Sequence, residues 1–294
     1  MKRRKRNKRN VSMLFLLPSL GLYVLVKIIP MIQGLFYSLT NWDGISKDFD
    51  FIGLQNFSKA FHDTEFFNSL LVTFKFVIIV VVAVNVLAII FAVLLNNAGI
   101  LTKIFRSIFF LPIIISRVAI AYIWKNIYSY NGLLDFILEA VGLESLKQRW
   151  LSDPSLALYS VSLTEIWRIL GYHIIIILAT LQTIPRNLYE ACEIDGGNAF
   201  AKFRYITLPL LRPGITASVI MCTIGSLKQF ATIKILTDGG PLGATNTISL
   251  YILDQAFEFN YRGYASALAL ILFVIILIIT VTQNIVLGKK EVEL

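Results

Sequence analysis

Glu165, Arg168 and Tyr172 stand three and four residues apart inside a long apolar run, and Cys222, Ser226 and Gln229 repeat that kind of stepping in the next run. Steps of three and four place side chains on one helical face. Ionisable groups within an apolar span are costly to insert and mark ligand or ion paths by default. Two polar stripes on consecutive helices can face one cavity. Glu, Arg, Gln and Ser together supply donors and acceptors, and Tyr172 adds an aromatic face, so the lining suits a polyhydroxyl ligand such as a sugar. The same spacing also allows a self-contained Glu165–Arg168 ion pair that aids insertion and touches no ligand. Both readings stand open on the residues alone.

Covalent chemistry finds no support. There is no Gly-x-x-x-x-Gly-Lys-Ser/Thr loop to cradle a nucleotide. Two histidines are too few for a Ser/His/Asp arrangement, and His62-Asp63-Thr64-Glu65 lacks the second histidine of a zinc helix. Cys192 and Cys222 do not make a metal site, and no disulfide is expected, because one falls in a polar loop and the other in a span. The chain is expected not to be an enzyme.

The elements that position these residues are membrane helices. Apolar residues make up 56% of the 294 and charged ones 15%, against about 25% charged in a soluble domain. Mean hydropathy is +0.72. Six apolar segments are long enough for a hydrocarbon core of about 30 Å, at roughly 12–39, 70–95, 104–128, 156–183, 213–236 and 264–287. Pro18 and Pro30 suggest bends in the first, while Pro112 and Pro213 sit near span entrances. Residues 1–11 form a basic tail with seven Lys or Arg between Lys2 and Arg9. The tail reads as a cytoplasmic anchor. A signal peptide and a nucleic-acid-binding arm are the alternatives, and the anchor is favoured because no Ala-x-Ala site follows, apolar character resumes at Ile28 and the chain is a membrane one. With the N-terminus inside, the inner segments hold fifteen basic residues and the outer loops five. Both termini and the 184–212 loop are thus expected in the cytoplasm.

Several further polar residues lie in the spans. Asn85 reads as interhelical glue, His173 as a packed histidine, and Lys234 as a snorkelling side chain. Arg117 needs a partner, and Lys228 suits either an acidic ligand or a pairing with Glu165.

The 184–212 loop is too charged for lipid. Pro185 opens a short helix with Leu188, Ala191 and Cys192 on one face and Glu190, Glu193 and Asp195 solvated. Gly196-Gly197 stops it, since a left-handed terminus favours glycine. A second helix resumes at Ala199 with Phe200, Phe203 and Ile206 expected to be buried, and Pro209 and Pro213 lead into the fifth span.

Glu190, Ala191, Gly196, Ile206, Leu208 and Pro209 fall at the spacing of the "EAA" loop, so the segment resembles that of ABC-importer permeases. Cys192 stands where the second Ala is usual, and Gly197 replaces a common Ala. The likeness extends through Ser38-Leu39-Thr40-Asn41-Trp42, Phe110-Leu111-Pro112, Leu178-Ala179-Thr180-Leu181-Gln182-Thr183-Ile184-Pro185, Leu236-Thr237-Asp238-Gly239-Gly240-Pro241 and Gly263-Tyr264-Ala265-Ser266-Ala267. Taken together these look like the carbohydrate-uptake branch, on the maltose-type and glycerol-3-phosphate-type first-subunit side.

The resemblance implies an all-α integral membrane fold of six transmembrane helices in a bacterial or archaeal cell membrane. It implies a permease subunit of an ATP-driven, binding-protein-dependent sugar importer. Its partners would be a second six-span permease subunit, two ATP-binding subunits that hold the ATP and Mg, an extracytoplasmic sugar-binding protein, the sugar and the lipid bilayer. The chain itself would carry no cofactor. Carried over, Glu190 is the ionic contact to the ATPase, Ala191 the close-packing position and Gly196 the turn, with Cys192, Asp195, Gly197, Leu208 and Pro209 completing the coupling element. Sugar contacts in the maltose-type subunit line up approximately with Glu165, Arg168, Tyr172, Ser226 and Gln229. The rival readings are a secondary carrier, which would need ion sites at broken helices in matched halves, and a sensor that docks an ATPase without transporting.

Overall fold

The computed structural model describes residues 16–96 and 100–288, without the side chains of 100–104 and 106. The basic tail at 1–11 therefore lies outside the described residues. In chain order the helices are α1 (Leu16–Tyr37), α2 (Gln55–His62), α3 (Thr64–Asn96), α4 (Ile100–Ile114), α5 (Arg117–Ile127), α6 (Leu133–Ala140) and α7 (Ala157–Leu181). They continue with α8 (Arg186–Ile194), α9 (Ala199–Leu210), α10 (Arg212–Leu227), α11 (Ala231–Leu236), α12 (Ile248–Phe257) and α13 (Arg262–Gly288). Among the described residues the extended pairing is one isolated bridge, Thr40 with Phe51.

Four helices, α1, α3, α7 and α13, are each long and apolar enough to cross a bilayer, and two bent pairs bring the number to as many as six. The 33 residues of α3 make a rod of about 50 Å at about 1.5 Å per residue, well beyond the hydrocarbon core. The expected spans differ most from the helices at the third and fifth. The 104–128 segment breaks at Ser116, where α4 and α5 meet at 104°. Pro112 lies inside α4 rather than at an entrance; it cannot donate to the carbonyl four residues back, and the helix ends two residues later. The 213–236 segment is interrupted at 228–230 between α10 and α11. Hydroxyls satisfy the backbone carbonyls freed there, with Thr247 Oγ1 donating to Gln229 O at 3.1 Å and Ser249 Oγ to Leu227 O at 3.0 Å. A break within a membrane is tolerated where protein groups meet its backbone.

The chain divides into two units. One comprises residues up to 63 together with 252–272. Here Trp42 stacks on Tyr37 at 4.0 Å, and the buried Asn56 donates to Ser38 O and Thr40 O at 2.9 and 2.8 Å. A Cβ at Gly263 would stand 2.1 Å from Thr40 O, so glycine is what lets the two backbones meet. Arg262 donates to Gly44 O at 3.1 Å. In the same unit the Asp43 carboxylate accepts from Ile45 N, Ser46 N and Ser46 Oγ. The Ser46 hydroxyl and these amides hold its pKa down at about 2.

The other unit, 64–251 with 273–294, is built around α7. Two thirds of the apolar window of α7 is buried, whereas none of that of α1 is. α3 packs along α7 through a ridge at Phe76, Val80, Val84, Ala88 and Ala92, the stepping of one helical face. Polar side chains tie the helices together. Ser218 Oγ on α10 donates to Asn85 Oδ1 on α3 at 2.6 Å and receives a hydrogen bond from His173 Nδ1 on α7 at 2.8 Å. Asn85 and His173 are thus interhelical joints, and the Ser218 bond assigns the Nδ1–H tautomer to His173.

Candidate functional site

The 184–212 loop folds as a helical hairpin. α8 begins after Pro185, whose φ and ψ of −62° and 135° set the entry. It ends in a Schellman arrangement. Gly197 N bonds Cys192 O at 2.7 Å and Gly196 N bonds Glu193 O at 3.0 Å, with Gly196 at φ +77°. Asn198 Oδ1 caps the next turn by accepting from Ala201 N at 2.9 Å. A π-wound turn, Phe203–Thr207, then leads through Leu208 and Pro209 into α10.

Glu190, Ala191 and Asp195 are exposed, Cys192 is half-buried, and Leu208 and Pro209 are half-buried at the hairpin's end. The expected burial of Phe200 is corrected: Phe200 is 72% exposed, in company with Ile194 and Tyr205. The α-helical winding after Ala199 lasts one turn before it widens to the π turn, which destroys the i, i+3 alignment of 200, 203 and 206. The hairpin thus presents acid and apolar groups outward together.

Two contacts that the sequence reading did not name make the hairpin stiff. The hydroxyls of Tyr189 and Thr207 are hydrogen-bonded at 3.0 Å, and Lys202 pairs with Glu193. Tyr189, Ile206 and Leu210 also pack on the core formed by Leu95, Leu178, Leu181, Ile184 and Leu211. α8 is thereby packed against the bases of α7 and α10. The available signal was positional, since Tyr189 directly precedes Glu190 and Thr207 fills the open place in the Ile206-x-Leu208-Pro209 stretch.

The two departures from the familiar loop pattern prove to be neighbours. A Cβ on Gly197 would stand 2.3 Å from Cys192 Sγ and 2.8 Å from Cys192 O, so both the side chain and the carbonyl at 192 crowd the room that an alanine at 197 would need. We expect Gly197→Ala alone to destabilise the hairpin and Cys192→Ala to relieve it in part. The coupling in a double-mutant cycle should be about 1 kcal/mol, measured by thermal unfolding of the solubilised protein; additive effects would show the two positions to be independent.

Inside the spans, Glu165 (4% exposed) and Arg168 (3%) form a bidentate pair. Arg168 Nε donates to Glu165 Oε2 at 2.9 Å and Nη2 to Oε1 at 2.5 Å. Gln229, fully buried in the break after α10, donates through Nε2 to Glu165 Oε2 at 2.7 Å and to Thr232 Oγ1 at 2.9 Å. Its Oε1 accepts from Arg117 Nη1 at 3.1 Å. Arg117 is the first residue of α5, so this bond joins the two helix breaks, and α5 and α11 pack against each other beyond it. Lys125 Nζ adds a bond to Ile235 O at 2.9 Å.

A cavity of about 310 Å³ opens beside the pair, lined by Ile113, Arg117, Glu165, Arg168, Tyr172, His173, Met221, Cys222 and Ser226 among others. Tyr172 is half-buried with its hydroxyl 3.4 Å from Met221 Sδ. Ser226 Oγ is buried with no nitrogen or oxygen partner among the described residues, beside the Cys222 thiol. Four of the five residues expected to meet a ligand thus share one wall. Gln229 does not line the cavity; it stands behind Glu165 and orients it. Lys228 is exposed, and the ion-pair partner of Glu165 is Arg168. A larger cavity of about 760 Å³ lies among the loops, between Lys125, Tyr130, Arg149, Trp150 and Asp238.

The family described as "Binding-protein-dependent transport system inner membrane component" matches residues 8–290. The chain belongs to that family. It is a membrane-spanning permease component, as the loop spacing led one to expect, and not an enzyme.

Among relatives of this permease, the multiple sugar-binding transport system permease protein MsmF of Streptococcus mutans is 36% identical over 276 residues, 94% of either chain. The probable starch degradation products transport system permease protein AmyD of Thermoanaerobacterium thermosulfurigenes is 34% identical over 281 residues, covering 96% of this chain and 95% of its own. One chain in the crystal structure of a bacterial alginate ABC transporter, in complex with an alginate pentasaccharide-bound periplasmic protein, superposes with a TM-score of 0.82 at 23% identity. It covers 96% of this permease and 95% of that chain, and it speaks to the fold.

Proposed function

We propose that this permease is the transmembrane subunit of an ATP-driven importer that receives a sugar from an extracytoplasmic binding protein. Membership of the binding-protein-dependent family over residues 8–290 carries the reading. Relatives named for sugars and starch products support the ligand class. A second permease subunit completes the pathway. Two ATP-binding subunits, which hold ATP and Mg, grip the coupling hairpins from the cytoplasm, where both termini also lie.

In this mechanism no covalent step occurs in the chain. Closure of the ATPases on ATP pushes on Glu190, Ala191 and Asp195. The hairpin moves as one piece because Tyr189–Thr207 and Glu193–Lys202 brace it. α7 and α10 follow, and the cavity beside Glu165 and Arg168 changes the side to which it opens. Tyr172 offers a ring to the sugar's C–H face, Ser226 a hydroxyl, and Glu165 and Arg168 charged partners to its hydroxyls. Gln229 holds Glu165 in place.

The test is uptake by the assembled importer in proteoliposomes with binding protein and internal ATP. Tyr172→Ala should lower uptake at least about tenfold, the worth of roughly 1.4 kcal/mol of lost contact. Gln229→Ala should do the same by releasing Glu165. Uptake and sugar preference unchanged in both variants would remove this wall from the pathway. Uptake driven by an ion gradient without any ATPase would instead favour the secondary-carrier reading.

A further inference from the structure

The cavity beside α7 carries two guanidinium groups, Arg117 and Arg168, against a single carboxylate, Glu165. That carboxylate is committed. Both of its oxygens accept from Arg168, and one accepts from Gln229 as well. Arg117 forms no ion pair among the described residues, and its hydrogen bond is to the neutral amide oxygen of Gln229. A guanidinium has five N–H donors. Arg117 is exposed on this chain and shares the field of Glu165 with Arg168, so the two guanidinium groups leave one positive charge over at the cavity, and an unbalanced charge in a membrane segment favours an added anion.

Two more features at the same wall favour negative charge. α5 is an eleven-residue helix that begins at Arg117, and no side chain caps its first amides, so its positive dipole end lies there. Ser226, 2% exposed, lines the cavity with a hydroxyl that has no nitrogen or oxygen partner among the described residues and only the thiol of Cys222 beside it.

We infer that the transported sugar is anionic, and that Arg117 sets this specificity by receiving the carboxylate or phosphate oxygens of the sugar while Ser226 donates a second hydrogen bond. The inference rests on the sugar-import reading above. The charge of Arg168 is already answered by Glu165, so the burden of the extra anion falls on Arg117. The residue is a specificity determinant.

The test uses the complete importer in lipid nanodiscs without binding protein, titrated calorimetrically with matched probes: galacturonate against galactose, glucuronate against glucose, and glucose 6-phosphate. The acidic member of a pair should bind about tenfold or more tighter, the scale of one charge-assisted contact. Added salt should erode that preference. Arg117→Gln should bring the pair level, and Arg117→Lys, which keeps the charge and loses the fork, should retain part of it. Preference for phosphate over uronate, or the reverse, identifies which anion is carried, and either supports the inference. Equal or tighter binding of the neutral sugar, or binding of neither, overturns it, as does an Arg117→Gln variant that weakens both members equally; that last result would make Arg117 the counter-ion of a neighbouring subunit. The wild-type comparison stands even if a variant fails to assemble. ATP-driven uptake separates the two readings. Import of a neutral sugar with no charge preference sinks this inference alone, whereas import of no sugar sinks the function as well.

Discussion

Glu190→Lys should abolish uptake while leaving the chain folded and inserted. Glu190 sits on the exposed face of α8, and substitutions at such surface positions change stability by only about 0.5 kcal/mol. The hairpin is braced by Tyr189, Thr207, Glu193 and Lys202, none of which is altered. Docking is another matter. Losing one partner of a desolvated charge pair costs about 2–5 kcal/mol of association, and reversal adds repulsion, so affinity for the ATP-binding subunits should fall by about a hundredfold or more. Co-purification of those subunits reads the docking, uptake reads the consequence, and protease accessibility of the spans reads insertion. A Glu190→Lys importer that transports at the normal rate would refute the coupling role of the hairpin.

Arg168→Leu should be the most damaging single change in the bundle. It leaves the Glu165 carboxylate, 4% exposed, without its bidentate partner, and breaking a buried pair in this way costs about 3–5 kcal/mol. Replacing both members by apolar groups is often close to neutral, so Glu165→Leu/Arg168→Leu should recover much of the thermal stability in detergent. The outcome for transport discriminates between the two roles left open by the i, i+3 spacing. If the pair merely helps the helix to insert, the double variant transports. If it forms the wall of the sugar path, the double variant is stable and inactive. We expect the second result.

The parts of the molecule that were legible in the sequence are those set by local chemistry. The apolar runs located α3, α7 and α13, because length and apolarity decide whether a segment crosses a bilayer. The acid-and-glycine spacing of the loop marked α8 and its Schellman end, because a left-handed terminus demands glycine at 196. The Glu165–Arg168–Tyr172 stepping marked one face of α7, and these three residues do share a cavity wall.

What stayed hidden depends on residues far apart in the chain. The apolar character of 213–236 gives no sign of the interruption at 228–230, whose carbonyls are satisfied by Thr247 and Ser249 some twenty residues on. Arg117 looked partnerless because its acceptor, Gln229, lies 112 residues away. Gln229 itself fitted the helical stepping of Cys222 and Ser226, but the chain leaves the helix before reaching it and turns it behind the cavity. Cys192 and Gly197 looked like two separate mild departures, and only the geometry shows that the side chain and carbonyl of one crowd the place of a Cβ on the other.

The bond from Arg117 to Gln229 lies where two interrupted helices meet, and the segments beyond it, α5 and α11, are clasped to each other. That gives the bundle a seam. Under the proposed coupling, a shove arriving through α10 would be absorbed there by swivelling a few backbone angles, with the clasped block left standing. The work of each stroke would then go into reshaping a small chamber rather than into shifting the whole bundle.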